Sequence, residues 1–286
     1  MEKNSPKEKC LVLGGEGMLG HMLVSYLKTV PEFDVYFTSR NMKKGIFFDV
    51  VKNIDSLDAV IDEIKPNLVI NCIGIINSLV ETNNKDIVTW VNSYFPQKLA
   101  KICKAKGIKL IHISTDCVFS GKEGNYNEES EYSPVDFYGV SKAAGEIIDD
   151  HNLTIRTSII GPEIKEPKNG LMEWFFSQKE KEVKGFKKVI WSGVTTLELA
   201  KKIVEFYKKD VKGLIVVASK PINKYDLLCL IKEIYSLEII VHPVESPVCD
   251  RSMRSVREDI RYSVPNHKEM LEDLKKMMDK EENVQR

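Results

Sequence analysis

The chain has 286 residues, 43% of them hydrophobic. That is enough to bury a sizeable core, as one large domain or as a main domain with a smaller lobe, and it argues against a disordered chain. Lys+Arg and Asp+Glu each total 42, so no net field draws the protein to nucleic acid or to cationic partners, and any bound anion must be held by a local site.

The longest apolar runs fall far short of the roughly 20 residues of a membrane-spanning helix, so no membrane contact is expected. The charged stretch 1–9 has no apolar signal core, and a cytoplasmic protein is expected. Cys10, Cys72, Cys103, Cys117, Cys229 and Cys249 are scattered without a C-x-x-C pair. Most read as small buried hydrophobes in a reducing compartment, and no metal site is expected.

From Cys10 onward, short β-rich apolar runs alternate with helical periodicity, the pattern of a parallel sheet covered by helices on both faces. The runs predict strands at 10–14, 34–38, 45–48, 67–71, 109–113 and 153–156, with helices at 18–28, 54–64, 85–106 and 137–149. Strands buried on both faces should be nearly continuous in apolar residues, as 68–70 and 110–113 are. The fold class is therefore α/β, a doubly wound parallel sheet.

Beyond Gly161 the pattern is broken by Pro162, Pro167 and Gly170 before the aromatic stretch Trp174-Phe175-Phe176. Helices are predicted again at 196–207 and 224–235, and strands at 214–218 and 237–241. The expected division is a first domain over 8–161 and a smaller lobe over 162–286, with some segments of the second half returning to the first domain. The charged end, 273–286, reads as a solvated helix or a frayed tail.

Gly14, Gly17 and Gly20 stand at G-x-x-G-x-x-G spacing directly after the first strand and at the start of the first helix. Such glycines allow a tight turn and close backbone approach, and the free N–H groups of the helix attract a pyrophosphate. A plain strand-to-helix turn is the simpler alternative, but the place of the motif at the first βα turn favours dinucleotide binding. Glu16 is out of place there unless its side chain turns away from the phosphates. The second strand ends in Ser39-Arg40, with Lys43 and Lys44 following and no acid at that edge, which favours NADPH over NADH. A solvated basic loop is the alternative. Asp49, ending the third strand, is a candidate for the adenine side.

Tyr138 and Lys142 lie at i and i+4, on one face of a predicted helix. An ammonium close to a phenol favours the phenolate and makes it a better proton donor and acceptor near neutral pH. Ser114-Thr115 at the end of the fifth strand completes an ordered series: glycine loop, Ser/Thr, then the Tyr–Lys helix.

With these motifs together, in 14–20, 71–74, 114–119, 138–142, 144–146 and 156–158, the sequence resembles the extended short-chain dehydrogenase/reductase family, and within it the dTDP-4-dehydrorhamnose reductases. The resemblance covers roughly 9–161 and weakens beyond. It implies a Rossmann domain binding NADP(H) over 8–161 and a mainly substrate-binding lobe over 162–286. The cofactor would be bound by Gly14, Gly17, Met18, Leu19, Gly20, Ser39, Arg40, Asp49, Val50, Cys72, Ile73 and Gly74 together with Tyr138 and Lys142. It further implies that Tyr138 protonates the C4 oxygen of a 4-keto-6-deoxy sugar nucleotide, Thr115 hydrogen-bonds that oxygen, and Lys142 binds the nicotinamide ribose. Asn92 fits a position that supports the active-site backbone, or is a helix-surface amide. A homodimer is the assembly considered.

Departures bear on the substrate. The stretch 72–81 lacks the Ala-rich turn and acidic segment of the rhamnose reductases, and their Leu-Asp-Ser pattern survives only as Met253-Arg254-Ser255. Where the related dehydratases carry a Glu, this chain has Cys117, which disfavours dehydration. A Cys at this position is an acid/base in the GDP-fucose synthases, whose partner His follows a Gly-Pro pair. Here Gly161-Pro162 is followed by Glu163, so Cys117 with Glu163 would epimerise the carbon beside the ketone, unless Cys117 merely fills space, the reading preferred here. Trp174 is a candidate for stacking on the substrate, or core. Arg251, with Arg254 and Arg257, is a candidate clamp for the nucleotide diphosphate, or a solvated loop. His112 reads as a packed core residue. A third reading is a non-catalytic dinucleotide-binding subunit, since the regulatory β subunit of methionine adenosyltransferase resembles the same reductases.

Overall fold

The computed structural model describes residues 6–178 and 181–285. In chain order its elements are β1 (Glu8–Leu13), α1 (Met18–Lys28), β2 (Phe33–Ser39), β3 (Ile46–Phe47), α2 (Ser56–Ile64), β4 (Leu68–Asn71), α3 (Asn77–Val80), α4 (Lys85–Thr89), α5 (Phe95–Ala105), β5 (Lys109–Ile113), α6 (Phe137–Ala144), β6 (Leu153–Arg156) and β7 (Ile159–Ile160). The second half adds α7 (Leu171–Phe176), β8 (Glu182–Phe186), β9 (Val189–Trp191), β10 (Val194–Thr195), α8 (Thr196–Lys208), β11 (Gly213–Val216), β12 (Ile222–Asn223), α9 (Lys224–Tyr235), β13 (Ile240–Val244), β14 (Cys249–Asp250) and α10 (His267–Gln285).

Seven strands form one parallel sheet in the order β11-β6-β5-β4-β1-β2-β3. Successive side chains of a strand point to opposite faces, and here both faces are buried. Cys10, Val12, Leu68 and Ile70 face one core with Leu19, Leu23 and Leu27 of α1 and Leu199, Ile203 and Phe206 of α8. Leu11, Leu13, Val69 and Leu110 face the other with Leu57 and Ile61 of α2 and Phe95, Leu99 and Cys103 of α5. This is the doubly wound Rossmann architecture.

The strand order reverses between β1 and β4, which opens the crevice beyond their carboxyl ends where ligands of such sheets bind. A third core, built from Met172, Phe175, Trp191, Leu227, Leu228 and Ile231, belongs to the second half. Its small sheets pair β7 with β10, β9 with β12 and β14, and β8 with β13. From this half β11 joins the main sheet beside β6, and α8 packs on α1.

Four expected elements differ. The strand expected over 237–241 forms three residues later, at Ile240–Val244. The helix expected over 85–106 is interrupted by a π-turn at Trp90–Tyr94. The helix expected over 137–149 stops at Ala144, because Gly145 packs so closely on the carbonyl of Asn92 that a Cβ there would lie 1.9 Å from it, and the chain then turns to send Glu146 inward. The charged end, expected over 273–286 as a solvated helix or a frayed tail, is helical through Gln285 and buries Leu274; Arg286 lies outside the described residues. No helix among the described residues is long and apolar enough to cross a membrane.

Candidate active site

The glycine loop is tied to β2: the N–H of Gly14 donates to the Thr38 hydroxyl (3.0 Å) and that of Gly15 to the Thr38 carbonyl (2.9 Å). Gly14 has φ +80°, and a Cβ on Gly20 would lie 2.1 Å from the Gly14 carbonyl oxygen, so neither position tolerates a larger residue. Gly17 precedes α1 in an extended conformation, and no side chain caps the helix. Its first N–H groups are therefore open to an anion.

Beside the loop runs a groove of about 450 Å³ lined by Gly14, Glu16, Gly17, Thr38, Ser39, Arg40, Asp49, Val50, Cys72, Ile73, Gly74 and Lys165, among others. Of the expected cofactor residues, Met18, Leu19, Gly20, Tyr138 and Lys142 do not line it: Leu19 is in the core, Gly20 packs on the loop, and Tyr138 and Lys142 lie on α6. Asp49 holds its own turn, accepting from the N–H groups of Val51 (2.9 Å) and Lys52 (3.3 Å). Glu16 turns away from α1, accepts from the Ser39 hydroxyl, and meets the ammonium groups of Lys44 at 3.6 Å and Lys165 at 3.9 Å. The size and the glycine cradle of the groove fit a dinucleotide.

Thr115 follows β5 and begins a short 3-10 turn; its hydroxyl accepts from the N–H of Cys117 (3.1 Å) and donates to Asp116 (3.1 Å). α6 starts at an Asp136 cap that accepts from the N–H of Gly139 (2.7 Å), and Gly139 lets the helix close on Cys117: a Cβ there would lie 2.2 Å from the Cys117 carbonyl oxygen. This puts Tyr138 against Thr115. Burial of the phenol raises its pKa, nearby Cys117 adds to the effect, and the Thr115 hydroxyl opposes it.

Lys142 is 5% exposed and donates to the carbonyl of Ile113 (2.7 Å). Burial lowers its pKa to about 8, against the opposing pull of Glu146 and Cys72. Against the expectation that Lys142 assists the Tyr138 phenolate, the largest influences on the phenol are burial, Cys117 and Thr115. The ammonium is engaged by Ile113, and the groups acting on the phenol are Cys117, Thr115, Asp116 and Asp136.

Burial pushes the Cys117 thiol up to about 12, with Asp116 adding to it, and the guanidinium of Arg251, 3.5 Å from the sulfur, only partly opposes this. Arg251 is fixed by a second bond to the carbonyl of Phe119 (3.1 Å). Its two expected companions are elsewhere: Arg257 pairs with Asp259 and donates to the carbonyls of Lys212 and Leu214 at the sheet edge, and Arg254 is exposed. Glu163 accepts from the N–H of Gly170 (2.5 Å), beside Met18, and no contact with Cys117 is found among the described residues. Trp174 is 41% exposed while Phe175 beneath it is fully buried.

A model of the RmlD substrate binding domain family matches residues 8–182. The chain belongs to that family. A dTDP-4-keto-6-deoxy-D-glucose reductase of Streptomyces niveus is 31% identical over 157 residues, covering 53% of this chain and 52% of that protein, so the match spans about half the relative's length. The methionine adenosyltransferase 2 subunit beta of Pongo abelii is 25% identical over 253 residues, covering 82% of this chain and 75% of that one. Among solved structures, the dTDP-4-dehydrorhamnose reductase of Bacillus anthracis in complex with NADP superposes with a TM-score of 0.81 at 22% identity, over 94% of this chain and 98% of the other.

Within this RmlD-family fold the supports of the site are visible. Asn92, fully buried in the π-turn, accepts from the N–H of Ile75 (2.8 Å) and donates to the Ile75 carbonyl (2.9 Å) and the Ser141 hydroxyl (3.1 Å), joining the loop after β4 to α6. His112 is fully buried and meets Asn71 at 3.1 Å. Sequence reasoning missed Asp116 and Lys224. Lys224, first in α9, places its ammonium 5.1 Å from the Trp191 ring centre; burial lowers its pKa to about 8, and Asp116 and Cys117 act against that. Only the fold brings Lys224 to the site, and no local spacing announces it.

A larger concavity, about 920 Å³, lies instead at the other ends of the strands between Glu8, Lys65, Lys109 and Tyr207. Several of its charges already pair, Lys106 with Asp62 (2.5 Å) and Lys109 with Asp210 (2.9 Å), and it holds none of the residues expected to be catalytic.

Proposed function

We propose that the chain is an NADPH-dependent reductase of the C4 ketone of a nucleotide-activated 4-keto-6-deoxy sugar, of the dTDP-4-dehydrorhamnose reductase kind. The observation that carries this reading is the meeting of Thr115, Tyr138 and Lys142 at the carboxyl end of β5, beside a glycine-loop groove at the switch point of the sheet. The names of the Streptomyces and Bacillus relatives support it. When bound, the reduced nicotinamide supplies the hydride.

The chain's own residues do the rest. With its pKa raised by burial, Tyr138 keeps its proton at neutral pH and is ready to give it to an oxygen gaining charge. Thr115 orients that oxygen beside the phenol, and Lys142 holds the ribose. Arg251 and Lys224 supply positive charge on the Cys117 side, suited to a diphosphate, and Trp174 offers an exposed ring to the sugar or base. We assign the cofactor half to 8–161 and the substrate half mainly to 162–286, with β11 and α8 as returning segments. A homodimer in the cytoplasm is the proposed assembly; Tyr94 and Val140 are exposed on neighbouring helical segments that would suit a second copy.

The test is NADPH oxidation with a panel of 4-keto sugar nucleotides. Tyr138→Phe should cut turnover by roughly 10²–10⁴-fold while leaving NADPH affinity and folding intact. Near-normal ketone reduction by that variant would remove Tyr138 from the mechanism. A second reading, a non-catalytic dinucleotide-binding subunit, is favoured by the length of the match to the methionine adenosyltransferase subunit. NADPH binding without reduction of any member of the panel would select it.

A further inference from the structure

Glu16 is the one acid of the glycine loop, and its side chain is only 11% exposed. The Ser39 hydroxyl accepts from the N–H of Asn41 (2.7 Å), so its single hydrogen is free to go to the Glu16 carboxylate. Ser39 ends β2, and in a doubly wound sheet the residue there marks the 2′ position of the adenine ribose. The Glu16 carboxylate therefore stands within one hydrogen bond of the 2′ subsite, in the same groove as Arg40 and Lys165. It also meets Lys44 and Lys165, two ammonium groups of the kind a 2′-phosphate would recruit.

A carboxylate in this place accepts readily from a ribose hydroxyl but repels a phosphate. With NADPH, the phosphate must displace Glu16 to take over Ser39 and the two lysines. With NADH, Glu16 stays and takes the 2′-hydroxyl as a further donor.

We propose that Glu16 sets the cofactor selectivity of this chain: its carboxylate is a built-in competitor of the 2′-phosphate and keeps NADH within reach of NADPH. The inference rests on the dinucleotide reading of the groove. It accounts for a basic edge at Ser39-Arg40 that ought to select strongly for NADPH yet has an acid folded into it.

The test is calorimetric titration of the full chain with NADPH, NADH, adenosine 2′,5′-bisphosphate and AMP. The wild type should bind NADPH no more than about tenfold more tightly than NADH. Glu16→Gln and Glu16→Ala should each tighten NADPH and the bisphosphate by about tenfold and leave NADH and AMP unchanged or several-fold weaker. Arg40→Ala, on the same edge, should weaken NADPH alone, a control on the phosphate site. Unchanged or weaker NADPH binding in both folded Glu16 variants would overturn the inference while leaving the dinucleotide reading intact. Failure of the wild type to bind either cofactor would instead overturn that reading.

Discussion

Replacing Glu146 with Gln strips the partner from a guanidinium that pairs with no other carboxylate among the described residues. Both side chains are 1% exposed. Arg156 donates to the carboxylate at 2.9, 3.1 and 2.8 Å, and the same carboxylate accepts from Ser114 (2.5 Å) and Tyr132 (2.6 Å). The guanidinium also lies 5.3 Å from the Phe119 ring and 4.7 Å from that of Tyr132, which fixes its plane. Removing one partner of such a buried pair costs about 3–5 kcal/mol, because the remaining charge is left uncompensated. Gln keeps the shape and one acceptor, which points to the lower end, about 3 kcal/mol. At roughly 2–4 °C per kcal/mol for a chain approaching this size, Tm should fall by roughly 6–12 °C. Thermal unfolding followed by circular dichroism measures this. Arg156→Met should lose a similar amount, and the double variant Glu146→Leu/Arg156→Met should be more stable than either single one, since two apolar groups leave no buried charge. A loss below about 1 kcal/mol in both single variants would refute the reasoning.

The lowered pKa of Lys142 makes a prediction about pH. Its native value near 8 lies below that of an unfolded lysine, so the unfolded chain binds more protons between about 8 and 10.4. The contribution of Lys142 to stability is therefore least favourable below about 8 and improves as pH rises, while the charge it would offer a ribose is lost as pH passes about 8. NADPH affinity measured without substrate should fall as pH passes about 8, and Lys142→Arg, which stays charged, should flatten the profile; a flat wild-type profile would contradict the assignment. For Cys117, incubation with a 4-keto sugar nucleotide in deuterated water should give no enzyme-dependent deuterium beside the ketone, and Cys117→Ser should reduce its substrate within several-fold of the wild-type rate. Rapid incorporation that disappears in Cys117→Ser would establish the acid/base role instead.

The sheet was legible because its strands are buried on both faces and read as apolar runs, so β5 and β6 fall where those runs predict them. The helix boundaries were less so. The end of α6 is dictated by contact between Gly145 and Asn92, residues far apart in sequence, and the π-turn by a side chain that must reach Ile75 and Ser141 together. Local spacing placed Tyr138 and Lys142 on one helix but not the direction of the ammonium, which depends on an Ile113 carbonyl supplied by another element. The three arginines at 251, 254 and 257 looked like one clamp because they are close in sequence, yet Arg257 is drawn to carbonyls at the edge of β11. α10 reads as polar, but its Met270, Leu271 and Leu274 are buried and its Met277 and Met278 pack against the core.

Protonation states join these residues into one chemistry. A thiol with a pKa near 12 is ionised in about one molecule in 10⁵ at pH 7, so Cys117 as it stands is a poor base for abstracting a carbon-bound proton. Glu163, the carboxylate that an epimerase would need on the opposite side, is held by Gly170 beside the glycine loop. The same burial that keeps Cys117 protonated also keeps Tyr138 protonated, and a neutral phenol is the state from which a proton can be delivered to a forming alkoxide. One environment thus disfavours the exchange and suits the proposed reduction. It also gives Arg251 a reason to lie 3.5 Å from the sulfur without ionising it: the guanidinium is anchored by the Phe119 carbonyl, and its charge remains available to an anion arriving from outside.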